Sequence, residues 1–157
     1  MRKLLRILIM KRSGCSSNFV RKCCSALIIP MLNLQGSYIG GGARFESMPV
    51  FPHGIKGVFI SSGAEIGNNN VIFHQVTIGS NTVRNSERNG SPKIGDNCYI
   101  GAGAKIIGKV TIGNNVRIGA NCVVVKDVPD NCTVVSQPCR IIQKEKAQDN
   151  QFLNFQE

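Results

Sequence analysis

An aliphatic residue returns every six positions along most of this chain. From Ile60 the series runs through Ile66, Ile72 and Ile78, then Ile94, Ile100, Ile106, Ile112, Ile118 and Val124, and six of these ten are followed directly by glycine. Four positions after them sit small or β-branched residues, Ala64, Val76, Thr82, Cys98, Ala104, Val110, Val116, Cys122 and Val128, with Asn70 the one departure. Period six suits neither an amphipathic helix nor a long alternating strand. It suits short strands joined by corners. Three such sides close a triangular turn of about eighteen residues, and successive turns hydrogen-bond ~4.8 Å apart. The Ile series then stacks inward, and Gly and Asn at the corners accept the backbone angles that turning requires. The predicted fold class is an all-β solenoid, a three-sided parallel β-helix.

The same phase runs backwards through Phe51, Phe45 and Ile39, and it breaks twice. Three residues are added between Phe51 and Ile60, around His53-Gly54-Ile55-Lys56-Gly57. Ile78 and Ile94 are sixteen apart, so one repeat is followed by ten inserted residues near Arg84–Lys93. Interruptions in a strict solenoid are where functional groups collect. Phe51 and Ile72 are three repeats apart and should stack on one face in adjacent turns. His53 and His74, the two histidines of the chain, each follow those positions by two. They should therefore be neighbours along one edge, within ~5 Å at the backbone. A corner histidine often does no more than hydrogen-bond a turn, and the residues alone leave that reading open.

Composition agrees with thin, regularly stacked layers: 157 residues, 42% hydrophobic, no Trp and 6% aromatic fit one domain with its own core. The net charge of +10 is concentrated at the start, where residues 1–44 hold Arg2, Lys3, Arg6, Lys11, Arg12, Arg21, Lys22 and Arg44 and no acid. The body lacks aromatic–basic interleaving and any recognition helix, so nucleic acid is not an expected partner. Leu4, Leu5, Ile7, Leu8, Ile9, Phe19, Val20, Leu27, Ile28 and Ile29 alternate with the basic residues until Pro30. This pattern predicts a basic helical arm over residues 1–35. Residues 1–30 of it either hold the chain against the anionic inner face of a membrane or pack as a cap on the prism. Arg6, Lys11 and Arg12 interrupt the apolar run before it reaches the length of a signal or a span, so a cytoplasmic protein is expected. The β-helix should occupy residues 36–142 and a polar tail residues 143–157. Seven cysteines, an odd number with Cys23 and Cys24 adjacent, imply no disulfide framework, and no zinc-type Cys-x-x-Cys pair with matching histidines is present, so no metal is expected.

The stretches GVFISSGAEIG, VTIGS, KIGDNCYIGAGAKIIG and NNVRIGANCVVVKDVP resemble the hexapeptide acyltransferase family, and most of all the catalytic domains of serine acetyltransferases and related polysaccharide O-acetyltransferases. The resemblance covers roughly residues 36–142. It implies a left-handed parallel β-helix, against the usual crossover hand, a homotrimer, and acetyl-CoA as acyl donor with direct transfer to an alcohol. It also implies that His53, in FPHGIKG, is the general base. An alcohol attacks a thioester poorly unless its proton leaves as the bond forms, and such assistance supplies ~10²–10⁴-fold. His74 stays open between substrate contact and a structural role. By the same resemblance Ala102 and Ala120, one full turn apart, line the CoA groove, and Gly79 and Ser80 lie near the thioester. Arg117, Lys126 and Arg140 either meet the CoA phosphates or are solvated surface charges.

Several residues that define serine acetyltransferases are replaced. The Asp that supports the catalytic His aligns with Tyr38, the Asp before that His with Pro52, and the Arg-His pair of the inserted loop with Gly90-Ser91. An amino-acid acceptor needs partners for its carboxylate and its ammonium. Their loss leads to the expectation of a sugar or cell-surface polysaccharide precursor as acceptor, contacted by His74, Gly90 and Ser91, with serine as the alternative. Two readings of other kinds stand beside it. One is a non-catalytic binding or assembly module; the other, a metal-dependent hydratase of this fold, needs about three histidine ligands, and the chain has two.

Overall fold

A computed structural model describes residues 17–136 together with residues 4, 7–10 and 14. Most hexapeptides form a strand of two or three residues, and the strands stack into three parallel sheets. Face A stacks β1 (Tyr38–Ile39), β3 (Phe59–Ile60), β6 (Thr77–Gly79), β9 (Lys105–Ile107) and β12 (Val123–Val124). Face B stacks β2 (Arg44–Phe45), β4 (Glu65–Ile66), β7 (Lys93–Ile94) and β10 (Thr111–Ile112), and face C stacks β5 (Val71–Ile72), β8 (Tyr99–Ile100), β11 (Arg117–Ile118) and β13 (Thr133–Val134). The chain visits A, B and C in turn, so each circuit adds one coil to a three-sided prism.

Register follows the repeat, with Ile60, Ile78 and Ile106 paired in column on face A, Ile66, Ile94 and Ile112 on face B, and Ile72, Ile100 and Ile118 on face C. These side chains point inward and are almost wholly buried, as are the small residues Ala64, Val76, Cys98, Ala104, Val110, Val116 and Cys122 that let the chain turn. Each buried Ile contributes about 1.5–3 kcal/mol relative to an exposed one. Burial pushes the Cys98 thiol up from its ordinary range, which keeps it protonated in the core. The corners carry the left-handed backbone that the sequence pattern predicts, at Asn69, Asn97, Asn115 and Asn131 on one edge and at Gly57, Gln75, Gly103 and Asn121 on another.

Asn70, the departure from the small-residue position, is buried for a stated reason. Its Nδ2 donates to the Gly95 carbonyl at 3.0 Å and its Oδ1 accepts from the Cys98 N–H at 2.7 Å, so it bonds one coil to the next where the backbone ladder does not reach. Beyond the two breaks already named, the phase changes once more, near the end of the described prism. The six-residue spacing from Val124 leads to Asp130 as the next inward position and leaves Val128 as a turn residue. In the structure Val128 bridges Ile112 on face B, and Val134 follows six residues later. The final coil is two residues short, because an inward Asp130 would bury a charge whereas Val128 continues the apolar column.

Helix α1 (Asn18–Asn33) lies against β1 and closes the first coil. Cys24, Ile28 and Leu32, spaced by four, form its buried stripe and join Ile9, Ile39, Phe45 and Ile55 in one core. Phe19, Leu27 and Ile29, outside that stripe, are exposed. Among the described residues no helix is long and apolar enough to cross a membrane. The added residues of the first break are packed, with Ile55 and Val58 buried; the Ser37 hydroxyl donates to the Ile55 carbonyl, and the Gly57 N–H donates to the Gln35 carbonyl.

Candidate active site

The edge between faces C and A is where the two histidines meet. Val50 bridges Val71, with Val50 N–H donating to the Asn70 carbonyl and Ile72 N–H to the Val50 carbonyl, and this places His53 directly over His74. Their Nδ1 atoms are 3.1 Å apart and their ring centroids 5.1 Å. At that distance one Nδ1 carries a proton and the other offers a lone pair. Phe73 stands where other coils have the repeat glycine, and it holds the His53 ring edge-on, with centroids 5.3 Å apart at 89°. Tyr99 backs Phe73 at 5.0 Å. The backbone below is fixed too: Gly103 N–H donates to the His74 carbonyl and Gln75 N–H to the Lys56 carbonyl.

His53, Lys56, Gly57, His74 and Gln75 line an open pocket of about 310 Å³. His53 is exposed and His74 half-buried. Next in line along the same edge come Ala102 and Ala120, each two residues past the inward Ile of face C, as His74 is. The Gly101 N–H donates to the Ile118 carbonyl and the Asn121 N–H to the Ala102 carbonyl, so these coils are in direct register. His53, His74, Ala102 and Ala120 thus form a column in steps of ~4.8 Å: imidazoles at one end, then a ledge of small side chains.

The remaining candidates lie elsewhere on the chain. Gly79 ends β6 on face A, and Ser80 and Lys126 follow strands of that face toward the edge between faces A and B. Gly90 is on that edge as well, paired with Asn81 across the base of the insertion, and Ser91 lies over Gly63. The insertion is tied down by Arg88, whose Nη1 donates to both carboxylate oxygens of Asp127 at 3.0 Å and to the Lys109 carbonyl. Arg117 is exposed on face C beside Tyr99, and Arg140 lies outside the described residues. Tyr38, aligned with the supporting acid of the resembled family, is half exposed on face A and pairs with Phe59. Sequence reasoning passed over Lys56 and Phe73. Both sit one to three residues from a histidine at a break in the pattern, which is the signal that would have found them.

Residues 91–126 match the family described as bacterial transferase hexapeptide (six repeats). The domain is 42% identical over 109 residues to a serine acetyltransferase of Synechococcus elongatus, covering 69% of this chain and 43% of that one. It is 44% identical over 109 residues to one from Mycobacterium tuberculosis, with 69% and 46% covered. Among solved structures, the soybean serine acetyltransferase apoenzyme superposes with a TM-score of 0.67 at 35% identity, covering 88% of this chain and 54% of that one. Serine acetyltransferase isoform 3 of Entamoeba histolytica in complex with cysteine gives 0.65 at 30% identity, covering 91% and 48%. The chain carries the hexapeptide repeat of that family, is closely similar to serine acetyltransferase catalytic domains, and shares their left-handed parallel β-helix. It spans about half the length of the curated relatives it matches.

These relatives correct the expected acceptor. The sugar hydroxyl was inferred from Pro52 and Gly90-Ser91 standing where charged groups are expected, yet relatives at 37–44% identity carry the name serine acetyltransferase. The inference treated each aligned position as the sole source of its charge. Lys56, a cation that was not among the aligned positions considered, lines the pocket with both imidazoles.

Proposed function

We propose that this domain transfers the acetyl group of acetyl-CoA to the hydroxyl of serine. The observation that carries the reading is the His53–His74 pair, open to a pocket that holds Lys56 and aligned with a ledge of small residues, in a domain so similar to serine acetyltransferases. In this reading His53 takes the hydroxyl proton as the serine oxygen bonds to the thioester carbon. The C–S bond then breaks, and the proton passes from His53 to the departing thiolate. Imidazole is the side chain whose ordinary titration range suits both transfers. The Lys56 ammonium pairs with the serine carboxylate, which turns a generic alcohol site into one for an amino acid. The pantetheine arm lies along Ala102 and Ala120, and Arg117 on the neighbouring face meets the phosphate end.

Gly79, Ser80, Gly90, Ser91 and Lys126 stand on the other edge of face A, and a second prism packed against the first brings such an edge to the histidines. The homotrimer implied by the family resemblance supplies that neighbour, and a slim prism gains buried surface by it. Sedimentation at micromolar concentration should read a trimer; a monomer would remove the shared site. The reaction is tested by measuring CoA release with serine, homoserine, free sugars and nucleotide sugars as acceptors. Serine should give O-acetylserine at the highest kcat/KM. Serine no faster than an uncharged alcohol of similar size would overturn the proposal.

A further inference from the structure

The supporting acid of the resembled enzymes is absent here, and the position aligned with it, Tyr38, lies on face A. A general-base histidine nevertheless needs its far nitrogen held, so that the proton sits on Nδ1 and the lone pair stays on Nε2. Among the described residues, the hydrogen-bond partner of the His53 ring is His74, at 3.1 Å between the two Nδ1 atoms. We infer that His74 is the positioning residue for His53, a neutral imidazole doing the work of the missing carboxylate. The inference rests on the reading of His53 as the base.

Proton counting assigns the roles. With the shared proton on His74, the Nδ1 lone pair of neutral His53 is consumed as acceptor and its own proton sits on Nε2. That leaves no lone pair with which to accept from a substrate. With the shared proton on His53, its Nε2 is free, and His74 accepts through Nδ1 while keeping its own proton on Nε2. When His53 then takes the hydroxyl proton, its Nδ1–H continues to donate to a neutral His74, so the new cation forms beside an acceptor already in place. Two protonated Nδ1 atoms would face each other proton to proton, and the contact therefore admits one cation and not two. Exposure agrees with the assignment: His53 is the open ring, while His74 is half-buried, with its carbonyl taken by Gly103 N–H. Phe73, edge-on to His53, fixes the plane in which that ring presents Nε2.

The test compares His74→Phe, which keeps a ring but removes the acceptor, with His74→Asn, whose Oδ1 falls near the position of Nδ1. Nitrogen-15 NMR of labelled protein reads the tautomer of His53 without any turnover. Wild type and His74→Asn should hold His53 as the Nδ1–H form, whereas His74→Phe should release it to the Nε2–H form that imidazole prefers in water. In parallel, kcat should fall by about 10–10²-fold in His74→Phe, a part of the ~10²–10⁴-fold that general-base assistance supplies, and recover to within roughly threefold in His74→Asn, with KM for acetyl-CoA unchanged in both. An Nε2–H tautomer for His53 in wild type, or one unaltered by His74→Phe, would overturn the inference. Tautomers that behave as stated while serine is not acetylated would sustain it and count against the proposed acceptor alone.

Discussion

Replacing Asn70 by Ala removes a side chain that is wholly buried and makes two bonds between adjacent coils, to the Gly95 carbonyl at 3.0 Å and from the Cys98 N–H at 2.7 Å. The larger loss is on the Cys98 side. A buried donor left without a partner costs ~1–3 kcal/mol, and the Gly95 bond and the small void add about 1 kcal/mol more. The expected destabilisation is therefore about 2–4 kcal/mol. With a urea m-value of ~2 kcal/mol/M the unfolding midpoint falls by about 1–2 M. Circular dichroism at one fixed protein concentration is the assay, since association of chains would otherwise shift the midpoint. Asn68→Ala is the control: that side chain is exposed and bonds Glu46 at the surface, so its loss should cost under ~1 kcal/mol. If Asn70→Ala were no less stable than Asn68→Ala, the view that this position bonds coil to coil would be wrong.

Lys56→Ala should raise KM for serine roughly tenfold or more, the worth of one charge-assisted contact, and leave KM for acetyl-CoA alone; equal serine KM values would remove Lys56 from the acceptor site. Asp127 is held below the ordinary carboxylate range, first by the Thr111 N–H and then by Arg88. Its folded value lies below its unfolded one, so its stabilising contribution is present above about pH 4 and is lost as pH falls through the lower folded value. The difference in melting temperature between wild type and Asp127→Asn should accordingly be constant near neutral pH and shrink in acid; a pH-independent difference would contradict the assignment. For the arm, pelleting with anionic but not neutral vesicles, abolished by high salt and by removal of residues 1–30, is the outcome expected if residues 1–30 meet a membrane surface. Negligible pelleting with both would leave α1 as a cap.

What the sequence disclosed was whatever depends on period. The inward Ile columns, the corner residues, and the meeting of His53 with His74 all follow from counting repeats, because each coil repeats the geometry of the last. Where period fails, so did the reading. Val128 moves inward because the alternative buries Asp130, a comparison of burial costs that spacing does not contain. The bonds of Asn70 needed the neighbouring coil to be in place before the departure could be understood as a strut. Gly79, Ser80, Gly90 and Ser91 were grouped with the histidines by resemblance; within one prism they stand on another edge, so that grouping rests on a neighbouring copy that counting repeats does not supply. The acceptor was misjudged because alignment compares positions one at a time, whereas a pocket is assembled from several. Lys56 reaches the site from the break that also carries His53.

The central claim is that His53 removes the proton of serine as acetyl leaves CoA, and it is tested by comparing wild type with His53→Ala at saturating serine and acetyl-CoA. Acetyl-CoA binding is measured separately by calorimetry. Turnover should fall by at least ~10²-fold, with the Kd for acetyl-CoA within about twofold of wild type. A variant that keeps more than about a tenth of wild-type turnover on the same product would contradict the account.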